Sequence, residues 1–272
     1  MEPTHRHMHS RVSVSAVSSW RQPFDDDLAM WDRLGVRHVG LSLRKCEEVG
    51  LDVAVERIRS AGLRVSNVVE CGWCELDNLD TWPRYQDRLL AAIDAMRGVG
   101  APVLVLTTGP AGQLEWEAAA GALGRVLNPV RLAAAEAGVR IAIENTSPMR
   151  LDLSFATTLR DTVDLAEHRG FDVCLELNSC WAERAFVVTV LRARPWLAHV
   201  QVSDARVGSL STPDRLVPGD GDIPLARRLG EILSTGYAGA FEIEMVGPRV
   251  EAEGYEPAIR RAIAHLSDLL PD

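Results

Sequence analysis

Short apolar runs alternate with longer amphipathic segments along the whole chain. Runs rich in β-branched residues are typical of strands, and apolar residues spaced three and four apart are typical of helices. The pattern predicts eight strands, at residues 11–17, 38–43, 63–69, 103–107, 139–145, 172–177, 198–203 and 240–246. It predicts helices between and after them, at residues 26–34, 53–61, 82–99, 116–137, 155–168, 182–194, 225–234 and 257–270.

Glycines follow six of these predicted helices. Each stands where a helix ends and the chain turns towards a strand, as a left-handed C-cap requires: Gly35, Gly62, Gly100, Gly138, Gly170 and Gly236. Eight strand–helix units without a linker predict a single (β/α)8 TIM barrel over residues 11–272, after a disordered tail at residues 1–10. A doubly wound open sheet is the alternative, but residues 17–20 are not the glycine-rich phosphate loop of that fold.

Composition narrows the class of protein. The 272 residues carry a formal net charge of −9, and Lys and Arg form no stripe, which argues against a nucleic-acid partner. No apolar run reaches the length of about 20 residues that spans a bilayer, and the polar, histidine-rich start does not resemble a signal peptide. We therefore expect a cytoplasmic protein without a membrane partner. The five cysteines, including Cys71 and Cys74, are predicted to be reduced and structural.

Polar side chains at the ends of the last four strands are the candidate chemistry. In a barrel of this kind the active site lies at the carboxyl ends of the strands, where alternate residues face the axis. That alternation turns four side chains towards one rim: Glu144, Glu176, Gln201 and Glu244. Glu242 faces the axis one layer deeper and is predicted to be paired there.

The three rim carboxylates need a cation, because buried charges of one sign are costly. A divalent metal is the favoured explanation. Ion pairs with arginines on the rim loops are the alternative, and the candidates are Arg150, Arg215 and Arg249.

Five segments resemble the xylose isomerase-like TIM-barrel superfamily, in particular its sugar phosphate isomerase/epimerase branch. They are IAIEN at 141–145, VCLE at 173–176, HVQVSD at 199–204, DRLVPGDGDI at 214–223 and FEIE at 241–244. The resemblance implies that Glu144, Glu176, Gln201 and Glu244 bind the metal and that Glu144 and Glu244 are the catalytic acid/base pair. Glu176 stands where the family has Asp, and Gln201 stands where it has His.

These two departures change the expected metal. An all-oxygen ligand set favours Mn²⁺ or Mg²⁺ over Zn²⁺, since imidazole is the ligand that suits zinc. The resemblance also argues against the family's trinuclear-zinc endonucleases, because Ser179 and Leu216 replace two of their histidines.

Rim residues predicted to bind the substrate include three aromatic, one acidic and three basic side chains. They are Trp20, Lys45, Trp73, Trp181, Asp204, Arg215 and Arg249. Asn145 and Asn178 are expected to orient the metal ligands through hydrogen bonds. His5, His7 and His9 are interpreted as part of the tail and not as a site.

The favoured function is a metal-dependent isomerase or epimerase of a sugar, sugar phosphate or related keto-polyol, acting through an enediolate. A lyase or dehydratase on a keto-sugar, keto-inositol or dehydroshikimate-type substrate is the first alternative, and a non-catalytic binding barrel is the second. The partner is a small polyhydroxylated molecule, and the resemblance also implies a homodimer or tetramer.

Overall fold

Eight parallel strands close into one barrel in the computed structural model, which describes residues 8–209 and 212–271. Each strand pairs with the next along the chain, and the eighth pairs with the first. The strands are β1 (Val12–Ser15), β2 (His38–Ser42), β3 (Arg64–Glu70), β4 (Val103–Leu106), β5 (Arg140–Glu144), β6 (Asp172–Glu176), β7 (Leu197–Val202) and β8 (Phe241–Ile243). The predicted (β/α)8 fold is confirmed.

Twelve helices lie between and after the strands in the described part of the chain. They are α1 (Phe24–Leu34), α2 (Leu43–Val49), α3 (Leu51–Ser60), α4 (Trp82–Val99), α5 (Trp116–Val126), α6 (Asn128–Ala137), α7 (Leu159–Arg169), α8 (Leu177–Cys180), α9 (Phe186–Ala193), α10 (Leu225–Leu233), α11 (Pro248–Glu253) and α12 (Tyr255–Leu269). The helix predicted over 116–137 is two helices, because Pro129 occupies the first turn of a new one. The short helices α2, α8 and α11 were not predicted.

The glycines expected to end helices behave as predicted. All six have positive φ, between 63° and 84°. At Gly35, the backbone N–H donates to the carbonyls of the last helical turn, as in a left-handed C-cap. Among the described residues, no helix is both long enough and apolar enough to cross a membrane.

Alternation along the strands separates two apolar regions. The larger lies between strands and helices and takes the outward residues, such as Ile141, Ile143 and Val173. The smaller lies inside the barrel and consists of Val17, Val69, Val103, Val105, Ala142 and Cys174. The predicted inward and outward faces of β5 and β6 are therefore confirmed.

The amino-terminal segment is ordered from residue 8 in the described part of the chain. Met8 packs against the outer core, and the backbone N–H of His9 donates to Ser267 Oγ at 3.1 Å. Met8 and His9 thus contact the barrel, although the sequence predicts that they belong to the tail. His5 and His7 lie outside the described residues.

Candidate active site

Three glutamate carboxylates and one guanidinium meet at the carboxyl ends of β5, β6 and β8. Arg215 Nη1 lies 2.5 Å from Glu244 Oε1, while Arg215 Nη2 lies 3.7 Å from Glu144 Oε1 and 3.6 Å from Glu176 Oε2. None of the three glutamates is more than 5% exposed. The structure thus brings together the carboxylates that the sequence placed on one rim, with an arginine among them.

Strand register fixes where the carboxylates stand. Glu176 pairs with Gln201 across β6 and β7, and Glu144 pairs with Cys174 across β5 and β6. Glu244 lies one residue beyond β8, where its backbone N–H donates to the carbonyl of Val202. Since these strands are parallel, their ends form one edge, and alternate residues on that edge share the barrel mouth.

Hydrogen bonds hold Glu244 firmly. Its Oε2 accepts from Gln201 Nε2 at 2.8 Å and from Ser15 Oγ at 3.3 Å, and its Oε1 accepts from Arg215. Gln201 Oε1 accepts from the thiol of Cys174. The amide of Gln201 therefore turns its nitrogen, and not its oxygen, towards the carboxylate cluster.

Glu176 is hydrogen-bonded to the residues that follow it in the sequence. Its carboxylate accepts from the backbone N–H groups of Asn178 and Ser179 and from Ser179 Oγ at 2.6 Å, which makes it the N-cap of α8. Asn145 exchanges two hydrogen bonds with the main chain of Glu176, at 2.9 and 3.0 Å. The predicted supporting role of Asn145 thus acts on the backbone of this residue.

Glu144 has a different environment. Among the described residues, its one ion-pair partner is the Arg215 guanidinium at 3.7 Å, beyond hydrogen-bond distance. Burial raises the pKa of the Glu144 carboxyl well above its ordinary range, and repulsion from Glu244 raises it further. Both effects favour the protonated form of Glu144.

Glu244 is the partner that carries charge more readily. Burial raises the pKa of Glu244 to about 7, while the Arg215 guanidinium acts in the opposite direction. Two adjacent carboxyls with pKa values pushed apart are an arrangement suited to general acid–base work. Cys71 is a third group whose pKa is shifted. Burial, and then the nearby charges of Glu144 and Glu244, raise the pKa of its thiol well above the ordinary value, so the thiol stays protonated.

A second polar layer lies deeper in the barrel. His199 Nε2 is 3.0 Å from Glu242 Oε2, and Asn67 Nδ2 donates to the same oxygen at 3.4 Å. A Cβ on Gly40 would approach Glu242 Oε1 to 1.6 Å, so only glycine leaves room for this carboxylate. Glu242 is paired, as predicted.

The predicted metal ligands do not fit a metal ion as they are arranged. Among the described residues, no three His, Cys, Asp or Glu side chains come together as ligands of one ion. The Arg215 guanidinium stands between the carboxylates, Glu176 is committed to a helix cap, and Gln201 presents N–H groups, which cannot coordinate a cation. Of the two explanations for the rim charge, this geometry matches the ion-paired one, through Arg215.

Lys45 is a correction. It was predicted on the open rim, but it is fully buried with Asp27, at 2.6 Å, and also donates to the backbone carbonyl of Ser19 at 2.8 Å. Ser19 Oγ donates to the other oxygen of Asp27. The polar atoms of Lys45, Asp27 and Ser19 bond to one another, and this geometry gives no support to substrate binding by Lys45.

Asp204 is a second correction. Its carboxylate accepts from four backbone N–H groups, those of Ala205, Gly219, Gly221 and Ile223, at 2.8–3.0 Å. It therefore organises the loop that contains the glycines, and this geometry gives no support to substrate binding by Asp204. Asn178 supports the same region, because its Nδ2 donates to the carbonyl of Asp204 at 2.7 Å.

The remaining predicted substrate residues lie on the rim without a settled role. Arg249 is half exposed and 3.4 Å from Asp214 Oδ2. Trp73 packs against Gly109, and Trp20 lies under the guanidinium of Arg44. Trp181 is partly buried against the outer core. Substrate binding by these side chains stays a prediction.

Several polar groups of the site escaped the sequence analysis. Ser15 and Ser179 bind the carboxylates directly, and alternation along β1 would have signalled the former. Three buried hydroxyls without a hydrogen-bond partner among the described residues lie just beyond β4, β5 and β7: Thr107, Thr146 and Ser203. Nothing in the local pattern distinguishes them from ordinary loop hydroxyls. All five cysteines are free, as predicted.

A parallel eight-stranded barrel with a cluster of carboxylates at its mouth defines the class of protein, a TIM barrel with a polar site at the carboxyl ends of its strands. Residues 28–269 match the model of the family described as xylose isomerase-like TIM barrel, and the chain belongs to this family. The predicted resemblance is confirmed. No curated protein matches the chain.

Solved structures share the whole fold at low sequence identity. Protein SMc04130 from Sinorhizobium meliloti 1021 is 21% identical with a TM-score of 0.87, covering 97% of this chain and 99% of that chain. IolI protein with a bound zinc atom is 16% identical with a TM-score of 0.80, covering 95% and 97%. D-Psicose 3-epimerase from Clostridium cellulolyticum H10, with D-tagatose, is 14% identical with a TM-score of 0.75, covering 95% and 97%. At this identity the likeness shows the fold.

Proposed function

We propose that this barrel is an isomerase or epimerase of a small neutral sugar or keto-polyol, with Glu144 and Glu244 as its proton carriers. The observation that supports it is the position of Arg215 among the carboxylates. Its Nη1 is bound to Glu244, whereas its Nη2 lies beyond hydrogen-bond distance of Glu144 and Glu176. Nη2 therefore has donor capacity that these two carboxylates do not use, and a substrate oxygen that approached it would accept a hydrogen bond.

The chemistry that suits this pair is proton removal beside a carbonyl. Glu244, as carboxylate, takes the proton from the carbon, and the electron pair of the broken C–H bond forms a C=C bond. The carbonyl oxygen takes up the negative charge, which the Arg215 guanidinium stabilises. Glu144 then delivers its proton to the opposite face of the same carbon for epimerisation, and the carbonyl forms again. For isomerisation it delivers the proton to the former carbonyl carbon, while the proton of the neighbouring hydroxyl passes to the former carbonyl oxygen and the new carbonyl forms at the first carbon.

Charge favours a neutral substrate over a sugar phosphate. The site has three carboxylates against one guanidinium. The other two basic residues predicted to bind substrate are engaged, Lys45 with Asp27 and Arg249 with Asp214. A phosphate would meet repulsion without a free cation among these predicted contacts. Sugar epimerases among the structural neighbours, including a D-psicose 3-epimerase, agree with a neutral sugar.

Deuterium exchange tests the proposal. A panel of neutral ketoses and keto-polyols is incubated with the protein in D₂O, and proton NMR follows loss of the exchanging C–H signal. We expect exchange on at least one substrate, and Glu144→Gln should lower the rate at which the deuterated epimer or isomer forms by about 10²–10⁴-fold, because Glu144 delivers the second proton. Glu117→Gln, an exposed site on α5, is the matched control.

Three outcomes would count against it. Equal rates of product formation in wild type and Glu144→Gln would mean that Glu144 takes no part in the reaction. An absorbing enone in place of exchange would favour the lyase. Ligand-induced stabilisation without exchange on any substrate would favour the binding barrel.

A metal-loaded form is the second candidate. Three carboxylates and an amide oxygen are ligands that suit Mn²⁺ or Mg²⁺, provided that Gln201 turns its amide and Arg215 leaves the cluster. Metal analysis of the purified protein separates this candidate from the first.

A further inference from the structure

One guanidinium occupies the centre of the carboxylate cluster. Arg215 is the only cation of the described residues that is paired with Glu144, Glu176 and Glu244, and its side chain is 17% exposed. A divalent ion held by the same carboxylates would lie about 2.0–2.6 Å from their oxygens. The Arg215 guanidinium lies beside that position, and the two cations would repel each other.

The main chain delivers Arg215 to this place. Its backbone N–H donates to the carbonyl of Val246, just beyond β8, at 2.9 Å. The next residue, Leu216, forms a bridge with Asp204 in which each N–H donates to the other's carbonyl. Gly247 approaches the Cα of Asp214 so closely that an added Cβ would be 2.8 Å away. The arginine is therefore anchored from both sides.

The other expected ligands are turned to different partners. Glu176 satisfies three hydrogen-bond donors at the start of α8, and Gln201 donates to Glu244. In both cases the side chain differs from the one that the family resemblance leads us to expect. The two departures and the position of Arg215 thus point in the same direction.

We propose that Arg215 is the resident cation of this site and that it excludes a divalent metal. The guanidinium then supplies the positive charge that stabilises the cluster in the free protein. This inference rests on the proposed function in one respect, namely that the same guanidinium stabilises the enolate. Its exclusion of metal is independent of any substrate.

Metal binding without substrate tests the inference. Thermal unfolding and metal analysis are measured for wild type, Arg215→Met and the control Arg249→Met, each with Mn²⁺, Mg²⁺ or Zn²⁺ at about 1 mM. Removal of the guanidinium leaves three carboxylates without a cation. We therefore expect Arg215→Met to bind one ion per chain, with a rise in the unfolding midpoint of about 5 °C or more. Wild type and Arg249→Met should show neither change.

Background binding is subtracted with Glu144→Gln. Sites elsewhere, including His5 and His7, are unaffected by this substitution, whereas an ion in the cluster loses a ligand. One ion per wild-type chain that disappears in Glu144→Gln would overturn the proposal. Failure of Arg215→Met to bind any ion would also overturn it, since the carboxylates would then not form a site even without the guanidinium.

Wild-type protein alone keeps the inference testable if Arg215→Met does not fold. Native mass spectrometry after exposure to each ion counts ions per chain, with Glu144→Gln as the reference. An equal count in the two proteins supports the inference, and one extra ion in wild type contradicts it. Deuterium exchange is read separately, so a failed metal inference leaves the assignment of Glu144 and Glu244 intact.

Discussion

Identical residue types acquire different properties at the mouth of this barrel. Glu176 accepts three hydrogen bonds from Asn178 and Ser179 in the first turn of α8, whereas Glu244 accepts hydrogen bonds from the side chains of three residues that are distant in the sequence. In the described part of the chain, Glu144 has one ion-pair partner, Arg215, at 3.7 Å. Because a hydrogen bond to a carboxylate stabilises its charge, Glu144 is the residue on which a proton is easiest to keep. A role in proton delivery follows from this environment and not from the residue type.

The buried pair of Lys45 and Asp27 gives a prediction at the same scale. Lys45→Met removes one partner and leaves the Asp27 carboxylate buried without its cation. We expect the free energy of unfolding to fall by about 3–5 kcal/mol, the usual range for breaking a buried ion pair. Urea unfolding at neutral pH measures the change.

The double variant is the control for this pair. Lys45→Met combined with Asp27→Leu replaces both charges with apolar side chains, and we expect it to recover most of the lost stability. Equal stability of the single and double variants would mean that the ion pair is not the source of the loss.

At the scale of elements, the segment after β7 is an organised loop and not a passive connection. The carboxylate of Asp204 gathers four backbone N–H groups, and its main chain pairs with Leu216. These contacts place the neighbouring Arg215 in the barrel mouth. The DRLVPGDGDI segment therefore has a physical reason for its glycines, since a Cβ on Gly221 would approach Asp204 Oδ1 to 2.2 Å.

Asp204→Asn tests the loop. The amide has one acceptor oxygen and directs N–H groups at backbone N–H groups, so about 2–4 kcal/mol of loop stability should be lost as donors become unsatisfied. We expect faster hydrogen exchange at residues 217–223 and weaker catalysis, because Arg215 is then held less firmly. Hydrogen-exchange mass spectrometry reports the first effect.

Asp222→Asn is the matched control, because Asp222 is a more exposed carboxylate of the same loop that accepts from Val207 and Arg206. Its exchange rates at 217–223 should stay close to those of wild type. Equal acceleration in both variants would show that the four N–H contacts of Asp204 have no special weight.

At the scale of the whole molecule, the buried carboxylates at the barrel mouth lower the free energy of unfolding. A barrel with carboxylates in a desolvated centre is less stable than one with apolar residues there. Arg215 and the helix cap at Glu176 offset part of this cost. The remainder is visible in groups whose pKa is shifted against their charged form.

Stability should therefore depend on pH in both directions. Folding raises the pKa of Glu144, so its contribution is complete at acidic pH and is lost as pH rises through the raised value. Burial, and secondarily Arg64, lowers the pKa of His38 from 6.5 to about 4, so stability is lost as pH falls across that interval. Urea unfolding between pH 4 and 9 should show both limbs.

Two variants assign the limbs to their residues. Glu144→Gln should flatten the alkaline limb and be more stable than wild type at high pH, while leaving the acid limb in place. His38→Gln should do the reverse. An alkaline limb that is unchanged in Glu144→Gln would mean that Glu144 is ionised in the folded protein at neutral pH.

The sequence by itself determined the barrel and the inward face of its strands. Alternation and helical period are properties of the backbone, so they can be read locally wherever one face is buried. That is why the sequence alone predicts that Glu144, Glu176 and Glu244 lie on one rim. The break at Pro129 and the short helices were missed because they depend on local caps and not on period.

Only the tertiary structure decided which cation the carboxylates meet. Lys45 and Arg215 both follow strands in the sequence, yet one pairs with Asp27 outside the mouth and the other enters it. The difference arises from contacts between distant segments, such as the bridge of Leu216 with Asp204 and the bond from Arg215 to Val246. A long, flexible basic side chain has no local pattern that fixes its partner, so its place is set by the loops that carry it.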